Sequence, residues 1–255
     1  MTQSYNPEIY WDKVAKKIAL RNDFKIIAGD DEPYYRYKRK RFLELLDTID
    51  FSHKKVLEIG SGPGGNLNHL NSKGCKSITG VDISNQMVEL SKQLLQGLEI
   101  NIIKTNGRDL PFENNSFDLV FTSTVLQHNT DENRLFSIIR EICRVSKNEV
   151  YLFERIESKL KGHESNLGRP INYYAELFRI NGFKFTQSKS LKIQASFYVC
   201  GLIRKAFDFK SRAEGEPLSR ISIFFEKIVL PISSFLDKFI PSKRDLTLLK
   251  FEKES

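Results

Sequence analysis

A carboxylate just ahead of a glycine-rich turn, with a second carboxylate about twenty residues further on, is the arrangement in this chain best suited to chemistry. The first part runs Val56-Leu57-Glu58-Ile59-Gly60-Ser61-Gly62-Pro63-Gly64-Gly65 and the second Val81-Asp82-Ile83-Ser84. An apolar strand that ends in glycines lets the backbone turn sharply and approach a ligand with no Cβ in the way. An acid at the end of the next strand has the spacing that grips ribose hydroxyls. Dinucleotide sites use Gly-x-Gly-x-x-Gly, whose amides and helix dipole welcome a pyrophosphate. Here the glycines fall at Gly60, Gly62 and Gly64, and Glu58 aims an acid into the turn. That opposes an anion and suits an ammonium or sulfonium. The predicted ligand carries a nucleoside at one end and a positive charge at the other.

The elements that must position these residues follow from periodicity. Apolar residues at helical spacing predict helices over residues 8–20 and 34–46, separated by a polar turn at 29–33. Strands are predicted over 55–59, 77–81, 100–104, 117–121, 149–153, 183–188 and 246–252, with helices over 64–72, 85–95, 132–145 and 171–180. The alternation predicts an α/β fold, a mostly parallel sheet with helices on both faces and ligand loops at the strand carboxyl ends.

At this point the chain resembles the class I S-adenosylmethionine-dependent methyltransferases, in particular those acting on small molecules in quinone biosynthesis and related tailoring reactions. The resemblance covers about residues 50–190 and rests on four segments in order. They are the Glu58 to Gly65 turn, Asp82, Asn106-Gly107-Arg108-Asp109-Leu110-Pro111-Phe112, and Ser116-Phe117-Asp118-Leu119-Val120-Phe121-Thr122-Ser123-Thr124-Val125-Leu126-Gln127-His128. The resemblance implies a Rossmann-like seven-stranded sheet, an N-terminal helical lid and a helical insertion before the last strand. It implies S-adenosyl-L-methionine as cofactor and S-adenosyl-L-homocysteine as product. Glu58, Gly60, Ser61, Gly62 and Gly64 would wrap the methionine part, Asp82 the ribose, and Ile83 and Met87 the adenine. Asn106 stands where the family usually has Asp, and its carbonyl oxygen can still face the adenine amino group. Gly107, Arg108 and Ser123 join that set. Tyr10, Trp11 and Arg36 lie on the helices that, in the family, close over cofactor and substrate. A Lys-Pro-Gly-Gly turn after the 132–145 helix is missing, and Asn148 is expected to supply the positive φ instead.

Methyl transfer by in-line attack needs orientation and exclusion of water, plus a base when the acceptor is a hydroxyl. His128, just beyond the fourth strand, is the candidate for that base; a pocket-shaping histidine is the alternative. His163 lies in a polar loop at 154–170 and reads as a surface residue, and His53 and His69 as peripheral. No pair of histidines has metal-ligand spacing, so no metal is expected.

Composition narrows the class. With 40% apolar and 28% charged residues, the 255-residue chain reads as a soluble globule able to bury a full core. Its net charge of +8 is spread along the chain and reads first as a solvated basic surface, then as a site for an anionic substrate or membrane surface. The Lys38-Arg39-Lys40-Arg41 run is read in the same two ways. Cys75, Cys143 and Cys200 are too scattered for a disulfide framework, and residues 1–10 lack an apolar signal core, so a cytoplasmic location is expected. Four divisions are predicted: a lid at 1–50, the cofactor-binding core at 51–194, a substrate-side helical insertion at 195–245 and a final strand at 246–255. Within the insertion, Ile221, Phe224, Phe225, Ile228, Ile232, Phe235, Leu236 and Phe239 share one helical face. That face is expected to pack on the sheet or line a channel; a membrane-surface contact or a homodimer contact are the other readings. Its charges and Pro231 argue against a transmembrane span. The insertion's Phe, Ile and Leu favour an apolar, lipid-linked or glycan-biosynthesis acceptor of small or medium size, methylated at O, N or C. The competing functions are an RNA or protein methyltransferase, for which no appended module is seen, and a non-catalytic partner subunit that keeps the fold.

Overall fold

Strand β1 (Lys55–Ile59) is paired in parallel with β2 (Ser77–Asp82) on one side and β4 (Phe117–Ser123) on the other. The computed structural model describes residues 5–21, 25–28, 31–208, 217–242 and 245–254. β3 (Ile100–Lys104) and β5 (Ser146–Ile156) extend the parallel set, and β9 (Asp245–Lys253) runs antiparallel between β5 and β8 (Phe183–Ser190). The seven strands lie in the order β3-β2-β1-β4-β5-β9-β8, the Rossmann-like seven-stranded sheet that the resemblance implies. A hairpin of β6 (Lys161–His163) and β7 (Asn166–Gly168) stands apart from it.

Central strands are apolar on both faces because helices cover both. Alternate residues feed two cores: Val56, Leu119, Phe121 and Phe153 enter one, and Leu57, Val120, Val150 and Leu152 the other. Helices α2 (Pro33–Leu46) and α3 (Gly65–Leu70) cover the first face, while α5 (Glu132–Val145) and α6 (Ile171–Arg179) cover the second. Helix α1 (Pro7–Ala19) lies against α4 (Asn85–Leu94), where Val14, Ala15 and Ile18 meet Met87 and Leu90.

Three expectations are corrected. Asn148 does not take a positive φ, because α5 leads directly into extended β5 at Ser146 and no turn intervenes. The polar loop at 154–170 is largely structured, as the end of β5 and the β6–β7 hairpin. The expected turn at 29–33 falls partly outside the described residues.

The third correction concerns the insertion, which holds α7 (Gln194–Phe207) and α8 (Arg220–Leu236). The apolar face of α8 does not pack on the sheet: Phe224, Ile232 and Phe239 are 60%, 68% and 70% exposed. The polar face is the buried one. Glu226 accepts from the Tyr34 backbone N–H at 3.1 Å and from Arg204 at 2.7 Å. Asp237 accepts from the Ala195 N–H at 2.7 Å, the Ser196 hydroxyl at 2.6 Å and the Tyr37 hydroxyl at 2.9 Å. Ser196 also donates to Ser233 at 3.0 Å. Sequence periodicity reveals two unlike faces but not which one turns inward. The carboxylates decide it, since one caps the start of α7 and both reach α2.

Asp237→Ala would strand these buried donors and is expected to lower the unfolding free energy by about 2–4 kcal/mol. Urea denaturation measures the loss, and amide exchange in the first turn of α7 is expected to rise.

Candidate active site

Strand order reverses beside β1, so a crevice opens at the carboxyl ends of β1 and β4. The glycine turn leaves β1 there. Gly60 has φ +70°, and a Cβ on it would stand 2.4 Å from a Val125 methyl, so only glycine fits. Asp82 stitches this turn to β2: its carboxylate accepts from the Gly62 N–H and the Ser84 N–H, each at 2.8 Å. Burial raises the Asp82 pKa, and those backbone donors oppose the rise.

Two cavities meet at this turn. A narrow one of about 100 Å³ is walled by Trp11, Ile59, Asp82, Ile83, Met87, Thr105 and Gly107. A wide one of about 1000 Å³ is walled by Tyr10, Arg39, Glu58, Ser61, Asn66, Phe197 and Tyr198, among others. Gly60, Gly62, Ser123, Thr124 and His128 border both. The junction is where a group could pass from one ligand to another.

Glu58 is fully buried in the wide cavity's floor. Arg39 donates to Asn66, and Asn66 donates to one Glu58 oxygen at 2.5 Å. The other Glu58 oxygen and the Ser61 hydroxyl are buried with no partner among the described residues. Burial pushes the Glu58 carboxyl up to about 8, Asn66 and Arg39 pull it down, and nearby Asp82 raises it further. Burial lowers Arg39 to about 10, and Glu58 opposes that fall. An unsatisfied acid of this kind is a receptor for a ligand cation.

The far wall is the turn after β4, held from two sides. Glu154 of β5, fully buried, accepts from the Thr122 hydroxyl at 2.9 Å and from the N–H groups of Val125, Leu126 and Gln127, each at 3.0 Å. Arg169, also fully buried, donates to the carbonyls of Leu126 at 3.0 Å and Asn129 at 2.8 Å and to Glu132 at 3.0 Å. Thr124 is forced to φ +58°, an unfavourable conformation for a β-branched residue, at the point where both cavities meet.

This clamp presents His128. Its Nδ1 lies 2.7 Å from the Ser165 carbonyl oxygen in the β6–β7 hairpin, and a carbonyl only accepts, so Nδ1 carries the hydrogen. Nε2 therefore offers a lone pair, toward which the Gln127 amide nitrogen points at 3.3 Å. Burial holds the His128 pKa below the ordinary value, with the Ser165 bond opposing, so the ring is neutral at pH 7. Trp11 meets its ring edge-on, centroids 5.1 Å apart.

The crevice brings together Glu58, Gly60, Ser61, Gly62, Asp82, Ile83, Met87, Gly107, Ser123, Tyr10, Trp11 and His128. Gly64 sits behind it, starting α3 at φ +91°. Three residues lie elsewhere. The Asn106 side chain accepts from the Arg108 and Asp109 N–H groups, closing its own loop, and Thr105 and Gly107 wall the slot instead. Arg108 is exposed. Arg36 is exposed and forms a two-bond pair with Asp31. Within the basic run, Arg39 turns inward to the site and Arg41 pairs with Glu44. Sequence reasoning missed Asp12, which accepts from the Ser84 hydroxyl at 2.5 Å and so fastens α1 to the start of α4. It also missed Asn66, Thr105, Glu154 and Arg169. Among the described residues no cluster could hold a metal.

Residues 57–153 match the family described as Methyltransferase domain. The sarcosine/dimethylglycine N-methyltransferase of Halorhodospira halochloris is 26% identical over 248 residues, 86% of this chain and 83% of that protein. The stretch at residues 57–153 is an S-adenosylmethionine-dependent methyltransferase domain. The ajmaline N-methyltransferase of Rauvolfia serpentina is 27% identical over 132 residues, 49% of this chain, and the match spans less than half (44%) of that relative's length. In fold, the methyltransferase is similar to magnesium protoporphyrin IX methyltransferase from Synechocystis, solved with S-adenosylmethionine bound, at a TM-score of 0.60 and 14% identity over 97% of this chain and 95% of that one. The cofactor of this methyltransferase is S-adenosylmethionine, and the residues present fit it: the unpartnered Glu58 oxygen for its cationic end, the Asp82 carboxylate for the ribose.

Without ligand, the raised Glu58 pKa favours the fold fully below about pH 4.5, and this contribution is lost as the pH rises through about 8. A cationic ligand reverses the preference. Cofactor binding at pH 7 is therefore expected to release protons from Glu58, by an amount that vanishes in Glu58→Gln, where affinity falls about tenfold or more. Calorimetry in buffers of different ionisation enthalpy measures both. Glu154→Gln is expected to cost about 2–4 kcal/mol in urea denaturation, because an amide nitrogen then faces backbone N–H groups.

Proposed function

We propose that the enzyme methylates a small or medium organic acceptor, at O, N or C, held in the wide cavity, with His128 as general base when the acceptor is a hydroxyl. The observation that carries this reading is that His128 borders both cavities while the Ser165 carbonyl fixes the tautomer in which Nε2 is an acceptor. S-Adenosylmethionine, when bound, supplies an electrophilic methyl on a sulfonium and leaves as S-adenosylhomocysteine.

The chain's own residues do the rest. Glu58, Ser61 and Gly62 hold the cationic end, Asp82 the ribose, and Ile83 with Met87 the adenine. Tyr10 and Trp11 of the lid at 1–50 exclude water from the junction. His128 accepts the acceptor's proton at Nε2 in place of the Gln127 amide; an amine acceptor would need only orientation.

The wide cavity favours an acceptor with an apolar body and a polar head. Phe42, Ile193, Phe197 and Leu246 supply apolar wall, while Lys38, Arg39 and Lys161 bring positive charge. An apolar or lipid-linked intermediate fits that division, including one from glycan biosynthesis. The similarity to a sarcosine/dimethylglycine and an ajmaline N-methyltransferase supports a small-molecule acceptor over RNA or protein. The core at 51–194 would bind cofactor, and the insertion at 195–245 would shape the acceptor side. The three unbridged cysteines suit a reducing, cytoplasmic setting.

With a hydroxyl acceptor, His128→Asn is expected to lower turnover at saturating cofactor about 100-fold while leaving cofactor affinity within about threefold. Wild-type turnover is expected to stay level through neutral pH and to fall only below the ordinary histidine range, where the buried ring takes its proton. Unchanged turnover in the variant would reduce His128 to a wall of the pocket.

A further inference from the structure

The outward face of α7 and α8 is the least explained surface of the molecule. Ile221, Phe224, Ile228, Ile232, Phe235 and Phe239 repeat at helical spacing and are all more than half exposed. Phe224, Phe235 and Phe239 alone present roughly 350 Å² of ring surface, already the size of the largest apolar patch on an ordinary monomer. Tyr198 and Leu202 of α7, at 56% and 66% exposure, continue the face, and Phe207 stacks on Phe225 to join the two helices.

Charge says what covers it. The only carboxylates on the two helices and the turn ending α8 are Glu226 and Asp237, and both are buried by the contacts to α2 and α7. Among the described residues of the pair, every exposed charged side chain is a cation: Lys205, Arg220, Lys227 and Lys238. A second copy meeting this face about a two-fold axis would oppose cations to cations. Aromatic and aliphatic side chains interspersed with exposed lysines and arginine suit the boundary of an anionic lipid layer. No helix among the described residues is long and apolar enough to cross a membrane, so the contact would be peripheral.

We propose that α7 and α8 are a docking platform that seats the enzyme on an anionic lipid surface. The wide cavity opens beside it, since Phe197 and Tyr198 belong both to the exposed face and to the cavity wall. An acceptor dissolved in the lipid layer would then enter past those rings. This last step rests on the wide cavity being the acceptor's, whereas the docking itself rests only on exposure and charge.

The test is sedimentation of the full chain with vesicles of phosphatidylcholine alone and with about one third phosphatidylglycerol. The enzyme is expected to sediment with the anionic vesicles, at least tenfold more tightly than with neutral ones, and to be released by salt. Phe224→Ser with Phe235→Ser is expected to weaken vesicle binding at least tenfold, and Lys227→Glu with Lys238→Glu at least as much. Both pairs lie away from the junction, so cofactor affinity and circular dichroism are expected to stay at wild-type values, which shows the variants are folded. Failure to bind anionic vesicles would overturn the proposal. So would a dimer in solution that dissociates on replacing Phe224 and Phe235, which would give the face to a second copy. Retained cofactor binding in either event leaves the methyl-transfer reading standing.

Discussion

The site depends on one buried carboxylate. Glu154 takes three consecutive backbone N–H groups and a hydroxyl, and in doing so folds the chain after β4 into the turn that ends at His128. An ionised carboxylate in that position is costly unless its donors are complete, and here burial and four donors act in opposition. Arg169 supplies the complementary half by taking the turn's carbonyls. One acid and one base thus satisfy both polarities of a backbone that makes no ladder bonds there. The strained Thr124 is held because its neighbours leave it no alternative.

Much of this fold is legible in the sequence because local patterns and tertiary demands agree. The strand at 55–59, the glycines after it and Asp82 need few long-range facts: a turn of positive φ requires glycine, and a strand end requires an apolar run. A mostly parallel sheet with helices on both faces follows from alternating strands and helices. What stays hidden is the destination of polar side chains. Glu154 and Arg169 look in sequence like ordinary surface charges, and only the partners 27 to 43 residues away in the chain reveal them as interior. Asn106 stands at the position the family alignment would assign to the adenine, yet an Asx turn with Arg108 and Asp109 consumes its oxygen.

The insertion inverts the usual logic of an amphipathic helix. In α8 the hydrophobic stripe is the wider and more regular one, yet two carboxylates and the serines beside them form the seam. Such a seam specifies register sharply, since a one-turn slip would leave Glu226 and Asp237 buried without donors. It also ties the insertion to α2, whose Tyr34, Tyr35 and Arg39 line the wide cavity. The outer surface and the inner wall are therefore mechanically one body with the helix that carries Arg39.

The Ser165 contact is made by main chain and not by a side chain. The imidazole's orientation is thus indifferent to which residues occupy the tip of the β6–β7 hairpin, provided its backbone path is kept. Side chains on that hairpin, His163 and Lys161 among them, line the wide cavity and can be exchanged without disturbing the ring. One short loop thus fixes an imidazole with its main chain and shapes a cavity wall with its side chains.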